Sequence, residues 1–200
     1  MAEKKPDRSA VPDAEIVQLV LAGEIDAFDE LVRRTRRPAY RLARRITRNH
    51  EDADDVVQES YVKAYRALSR FDSSRAFEPW FLTIVARSAL SQIRSRARRA
   101  TVPLDEPGAD GTTLADRIPD VALDPVARQR LMDAEEALGS LPDDQRAILA
   151  LRVDGDLPYA EIALALEIPV GTVMSRLARA REALLEAVEK RRAERFRRTS

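Results

Sequence analysis

Asp54, Asp55 and Glu59 crowd one short stretch, and carboxylates gathered in this way could hold a divalent metal for phosphodiester cleavage. On a helix, however, neighbouring side chains diverge, and these three would need donors from elsewhere to enclose one ion. The sequence around them offers no base or nucleophile arrangement. The same spacing also reads as a surface. With Val57 and Tyr61 turned inward, Asp55 and Glu59 lie one helical turn apart on an outer face, flanked by Asp54 and Gln58, and such a face complements a basic, helical partner. A metal-dependent nuclease is the weaker alternative, and a merely solvated acidic helix start is the bland one.

Arginine supplies the opposite chemistry. Between Arg33 and Arg48 there are eight arginines and no acid, and from Arg87 to Arg99 five arginines and no acid. Glu51 to Glu59 holds five acids and no base, and Asp105 to Asp124 six acids against Arg117 alone. The formal net charge is zero, yet charge is sorted into blocks of opposite sign, which suits one surface for phosphates and another for a basic partner. Arg87, Arg94, Arg96, Arg98 and Arg99 could track a single-stranded backbone. Trp80 opens the apolar stripe of the same helix and reads as core rather than as a stacking platform.

A third constellation lies between Tyr159 and Leu184. Ile162, Ala163 and Leu166 make one short apolar face, Ile168 and Pro169 a turn, and Thr172 can cap a following helix whose inward stripe is Val173, Leu177, Ala180 and Leu184. That is a helix-turn-helix pattern. Thr172, Ser175, Arg176 and Arg179 fall opposite the stripe, where they can meet base edges and phosphates in a major groove, and Arg181 is better placed for the backbone.

The elements that must carry these residues are helical. Charged residues make up 34% of the chain and aromatics 5%, with few glycines, so an all-α fold is expected. Apolar spacing predicts helices through Ile16 to Leu21 and Phe28 to Val32, a third from about Pro38 to Thr47, and a fourth from near Glu51 past Leu68 with Val57, Tyr61, Ala64, Tyr65 and Leu68 buried. A fifth runs from about Pro79, a good first-turn residue, to Arg99. Composition then breaks: prolines at 103, 107, 119 and 125, glycines at 108 and 111 and a mostly acidic remainder offer no apolar face, so 101–125 is read as an extended linker. Four helices follow, divided at Gly139 to Pro142, Gly155 to Pro158 and Pro169 to Gly171. The organisation is two small helical domains, 13–100 and 126–190, with a disordered lead (1–12) and a basic tail (191–200).

The chain has no cysteine, and its lone histidine, His50, reads as an exposed turn residue rather than a ligand, so neither a metal nor a cofactor is expected, nor a small-molecule substrate. No apolar run approaches the roughly 18 residues of a membrane span, and Met1 to Pro12 lacks a signal-peptide core. A cytoplasmic protein without membrane insertion is the expectation.

The wording of the motifs carries a resemblance. Leu141-Pro142-Asp143-Asp144-Gln145-Arg146, Tyr159-Ala160-Glu161-Ile162-Ala163 and Gly171-Thr172-Val173-Met174-Ser175-Arg176-Leu177-Ala178-Arg179-Ala180-Arg181 closely resemble the C-terminal, region 4 domain of extracytoplasmic-function sigma factors of RNA polymerase, in the sigma-70 superfamily. The resemblance covers nearly all of 126–190. It extends to the first domain, where Asp52-Ala53-Asp54-Asp55-Val56-Val57-Gln58-Glu59-Ser60-Tyr61 looks like the family's core-polymerase-binding helix in region 2. Phe77-Glu78-Pro79-Trp80-Phe81-Leu82-Thr83-Ile84, with Ala86-Arg87 and Ile93-Arg94, resembles the segment for the minus-ten element.

The resemblance implies a non-enzymatic sigma factor that directs core RNA polymerase to promoter DNA and helps to open it. Asp54, Asp55, Gln58 and Glu59 would meet polymerase. Arg87, Ser91, Arg94, Arg96, Arg98 and Arg99 would serve the minus-ten region, and Thr172, Ser175, Arg176, Arg179 and Arg181 the minus-thirty-five element. The linker, with Asp105, Glu106, Asp110 and Asp116, would thread a basic polymerase channel, and an inhibitory anti-sigma factor is a possible further partner. Four positions depart from the family's wording: Arg87 where asparagine is usual, Ser91 where aspartate or asparagine is frequent, Glu167 where glycine commonly precedes the turn, and Met174 where lysine is common. A stand-alone helix-turn-helix regulator binding as a dimer is the alternative, and it would need neither the acidic helix nor the arginine-rich one.

Overall fold

The computed structural model describes residues 7–99 and 124–199, and every regular element among them is helical. The first unit comprises α1 (Asp13–Leu21), a single 3-10 turn at Ile25–Ala27, α2 (Phe28–Thr47), α3 (His50–Ala67) with a 3-10 turn at Leu68–Arg70, and α4 (Phe77–Arg99). The second comprises α5 (Pro125–Ser140), α6 (Asp143–Val153), α7 (Tyr159–Leu166) and α8 (Val170–Thr199). The acidic residues assigned to a linker lie, up to residue 123, outside the described residues. The stretch expected as a basic tail is the last part of α8, where Arg191 and Arg195 pair with Glu136 and Asp133 of α5.

Local chemistry sets the helix ends. The Asn49 side chain accepts from the Asp52 amide at 3.0 Å, while Glu51 and Asp52 put negative charge on the first turn of α3, where the helix dipole favours it. Asp124 caps α5 through the Val126 amide at 3.3 Å, with Pro125 at a position that loses no helical hydrogen bond.

Two expectations are corrected by the helices themselves. Pro38 lies inside α2, so the helices expected on either side of it are one. An internal proline removes a helical hydrogen bond at a cost of about 3 kcal/mol; the buried stripe of Leu31, Thr35, Ala39, Leu42, Ala43 and Ile46 runs across it and offsets that cost. Pro79 is the third residue of α4, within the first turn where it was expected. Thr172 sits inside the first turn of α8 and does not cap it, since the helix begins at Val170.

The first core gathers Ile16, Leu31, Leu42, Phe77, Phe81 and Leu82, each fully buried. Trp80 belongs to this interior, packed with Phe71 and Phe77 at ring-centroid distances of 4.9 and 5.4 Å. Tyr61 stacks on Phe81 at 4.5 Å, and its hydroxyl donates to the Val32 carbonyl at 3.2 Å. Tyr65, placed with the buried stripe by its spacing, is 41% exposed. His50 is not an exposed turn residue: it is half-buried at the start of α3, with Nδ1 2.5 Å from the Tyr40 hydroxyl. In the second unit Leu151, Leu157, Ile162, Val173 and Leu177 form the interior.

The two helical units pack on one another. α2 lies against α6 and α4 against α7, and the buried side chains of both units form one contiguous cluster. Polar contacts line the junction. Arg45 forks onto the Asp154 carboxylate at 3.0 and 3.1 Å, the Arg146 guanidinium donates to the Ile46 carbonyl at 3.1 Å, and Arg75 pairs with the buried Glu161.

At the start of α2, Glu30 receives hydrogen bonds from Arg33 and Arg34. The Arg33 contact is the strongest influence, and with Arg34 it holds the Glu30 carboxyl at about 2 against an opposing push from burial. Because the folded value lies below the unfolded one, Glu30 contributes stability that is present above the ordinary value of 4.5 and lost as pH falls toward 2. Glu30→Gln should lower the urea midpoint at neutral pH and flatten its dependence on pH below 4.5. An unchanged acid limb in the variant would show that the pair contributes nothing to acid sensitivity.

Candidate nucleic-acid and partner interfaces

α3 separates its faces cleanly. Val56, Val57 and Ser60 are buried, and Asp54, Asp55, Gln58 and Glu59 are all exposed on the opposite side. Glu59 pairs with Lys63 at 2.9 Å, and Lys63 also donates to the Ser88 hydroxyl of α4 at 2.9 Å. At the other end of α3, Asp52 accepts from Gln92 at 3.3 Å and Arg96 at 2.8 Å. The acidic helix is therefore braced onto α4 at two points. Among the described residues no group of three or more His, Cys, Asp or Glu side chains is gathered as a metal site would need.

On α4 the spacing of Arg87, Ser91, Arg94 and Arg98 places them on one exposed face, each about one turn from the next. Arg96 lies to the side, directed at Asp52. Arg99 belongs to the last turn of the helix. Arg87, though exposed, is already engaged: its guanidinium donates twice to the Leu164 carbonyl at the C-terminus of α7, at 3.1 and 2.6 Å. That carbonyl lies in the last turn of a helix, where the Glu167 amide reaches it only at 3.4 Å and the dipole favours a cation. Sequence spacing could not reveal this contact, because its partners stand 77 residues apart.

In the second unit α7 and α8 form the helix-turn-helix. Val173, Leu177 and Ala180 bury α8 against its neighbours. Ser175, Arg179 and Arg181 are exposed, whereas Thr172 and Arg176 are half-buried at the edge of the packed face. The Ser175 hydroxyl donates to the Thr172 carbonyl at 3.0 Å, and Arg179 Nε to the Ser175 carbonyl at 3.3 Å, which leaves the terminal amino groups of Arg179 directed outward. Two outward positions on this helix were not singled out from the sequence as contacts: Met174, 62% exposed, and Ala178.

The turn before α8 has the left-handed conformation that the departure at Glu167 raises: Glu167 closes α7 with φ 55° and ψ 44°. A residue with a Cβ is strained there, by roughly 1 kcal/mol. Glu167→Gly should therefore raise stability by about 0.5–1 kcal/mol in urea unfolding, the gain being reduced by the extra freedom of glycine in the unfolded chain. A stability that falls instead would mean that the Glu167 side chain makes a compensating contact.

These features define a helical protein of two units, one presenting an acidic outer helix braced to an arginine-bearing one, the other a helix-turn-helix with exposed arginine. Comparison with known proteins places it more closely. Residues 31–99 match Sigma-70 region 2, and residues 131–184 match Sigma-70 region 4. The RNA polymerase sigma-H factor of Pseudomonas aeruginosa is 35% identical over 185 residues, spanning 88% of this chain and 94% of that protein. The ECF RNA polymerase sigma factor SigM of Mycobacterium tuberculosis is 36% identical over 173 residues (86% and 82%), and SigW of Bacillus subtilis 31% over 174 (84% and 92%). Among solved structures, CnrH in complex with the cytosolic domain of CnrY superposes with a TM-score of 0.62 at 25% identity, covering 89% of this chain and 97% of that one. The sigma factor RpoE of Bartonella quintana, in complex with the anti-sigma factor NepR, shares the fold with a TM-score of 0.63 at 23% identity, covering 81% and 96%. The chain belongs to the extracytoplasmic-function sigma factors of the sigma-70 family.

Proposed function

We propose that this chain directs core RNA polymerase to specific promoters and helps to open them, with its two units dividing the work. The first anchors on polymerase through Asp54, Asp55, Gln58 and Glu59, and holds opened DNA along Arg87, Ser91, Arg94, Arg96, Arg98 and Arg99. The second grips duplex at the minus-thirty-five element through Thr172, Ser175, Arg176, Arg179 and Arg181, and so sets the distance between the two promoter contacts. The carrying observation is the placement, on one rigidly braced pair of helices, of an acidic outer face on α3 and a cationic one on α4. A stand-alone regulator has use for only the helix-turn-helix.

No chemical step belongs to this chain, and phosphoryl transfer is the work of polymerase and its metals. No helix among the described residues is long and apolar enough to cross a membrane, which fits a protein working on cytoplasmic DNA. An anti-sigma factor is the expected inhibitory partner, given that the structural relatives CnrH and RpoE were solved with CnrY and with NepR.

Purified chain added to core polymerase should permit initiation from promoters of its own genome that core alone ignores. Failure at every such promoter would remove the reading, and magnesium-dependent cleavage of DNA by the chain alone would revive the nuclease. Within that assay Arg179→Ala should weaken promoter binding by about 1–3 kcal/mol if the guanidinium forks onto a base. Relaxed preference at one position identifies a base contact; an equal loss on all sequences identifies a phosphate contact.

A further inference from the structure

Resting on the reading of α8 as the promoter-reading helix, we propose that Met174 and Ala178 make its surface selective for thymine, through apolar contact with the C5-methyl group in the major groove. The orientation of α8 is fixed by Val173, Leu177 and Ala180, at 0, 1 and 0% exposure. With 3.6 residues per turn, the side directed away from those three carries Met174, Ser175, Ala178 and Arg179, all exposed. Thr172 and Arg176 fall toward the packed edge and are half-buried. Beside Ser175 and Arg179, which spacing also suggests, the outward surface therefore includes two residues without a hydrogen-bonding group.

Charge confines the contact to the start of the helix. Glu182 and Glu186 continue the outward face beyond Arg179, both exposed, and carboxylates there repel phosphates. DNA must then engage the first turns, where the side chains able to reach base edges include Met174 and Ala178. A thioether has no donor for guanine and a methyl group has none at all. The feature of the major groove that rewards apolar contact is the thymine methyl. Ser175 and Arg179, alternating with them, supply the polar contacts that position the helix. Met174, 62% exposed, and Ala178 are both exposed, so packing among the described residues does not account for an apolar side chain at these positions.

The test uses the full chain assembled with core polymerase. The preferred upstream element is first selected from a randomised duplex, and each thymine in it is then replaced by deoxyuridine, which deletes the methyl group and nothing else. Loss of one buried methyl should weaken binding about three- to fivefold at one or two positions. Met174→Ala should abolish the penalty at one of them, and Met174→Lys should turn the preference there toward guanine. Ala178→Asn should turn the other toward adenine. Deoxyuridine tolerated at every position, or a full penalty surviving in both variants, would overturn the proposal. Arg179→Ala separates the two levels. If it leaves both promoter affinity and dependence on the upstream element intact, the reading of α8 itself fails; if it weakens promoter binding while deoxyuridine costs nothing, only the methyl contact fails.

Discussion

Arg146→Ala is expected to lower the stability of the chain by about 3 kcal/mol, a large effect for one side chain outside the apolar core. Arg146 is 4% exposed, and its guanidinium donates to the Leu141 carbonyl at 2.9 Å, the Ile46 carbonyl at 3.1 Å and the Asp143 carboxylate at 2.5 Å. Ile46 lies in the last turn of α2, whose carbonyls have no partner within the helix, so an arginine from α6 supplies the missing donor across the junction. Burial pulls the Arg146 pKa below its ordinary value while Asp143 pulls it back, so the charge is costly to hold and is held for its contacts. Removing it leaves two carbonyls short of a donor and a cavity at the meeting of the units. Lysine should restore little of the loss, since its three donors share one nitrogen and lack the spread by which Nη1 and Nη2 of the guanidinium reach Leu141, Ile46 and Asp143. The check is urea unfolding of both variants; a loss below about 1 kcal/mol would show that water replaces the guanidinium and that the junction opens freely.

That junction explains what could and could not be read from the sequence. The helices of the second unit were legible because Pro142, Pro158 and Pro169 each stand at or next to a break in apolar periodicity, and the structure places α6, α7 and α8 just after them. The same rule misled at Pro38, where a buried stripe on both sides outweighs the local penalty. The charged blocks predicted the exposed face of α3 correctly, because a run of acids beside Val56 and Val57 leaves little choice of orientation. Contacts between the units were invisible: Arg45 meets Asp154 across 109 positions, and no periodicity encodes such a pair. On α8 the inward stripe was legible, but not which flank the neighbouring helices cover. Spacing singled out Ser175, Arg179 and Arg181, which are exposed, and Thr172 and Arg176, which are half-buried; the exposure of Met174 and Ala178 depends on which flank is covered.

The polar character of the junction also bears on how the chain engages a promoter. Arg87 here serves the C-terminus of α7, so if it meets promoter DNA as proposed, the strand competes with the Leu164 carbonyl for it. The exchange is between similar contacts, a guanidinium moving from a helix end to a phosphate, and its net cost is small.

Asp55→Lys is expected to weaken association with core polymerase by two orders of magnitude or more while leaving the fold intact. The side chain is exposed, with Val56 and Val57 beside it carrying the packing, so replacing it removes nothing from the core. If the face meets a basic partner, the substitution exchanges an attraction for a like-charge contact at a few ångströms, and such juxtapositions cost several kcal/mol. Glu59→Lys should act in the same direction but more weakly, because Glu59 already divides its charge with Lys63 and is 58% exposed in its side chain. The Asp55 effect should be independent of promoter sequence, and a large excess of the variant should restore initiation, since the DNA-reading surfaces are untouched. Arg179→Ala should show the reverse pattern: undiminished association with polymerase and a loss that depends on the upstream element. Association measured by fluorescence anisotropy with labelled chain decides the matter. Unchanged affinity of Asp55→Lys for core polymerase would take the outer face of α3 out of the interface and leave the anchoring role without a surface.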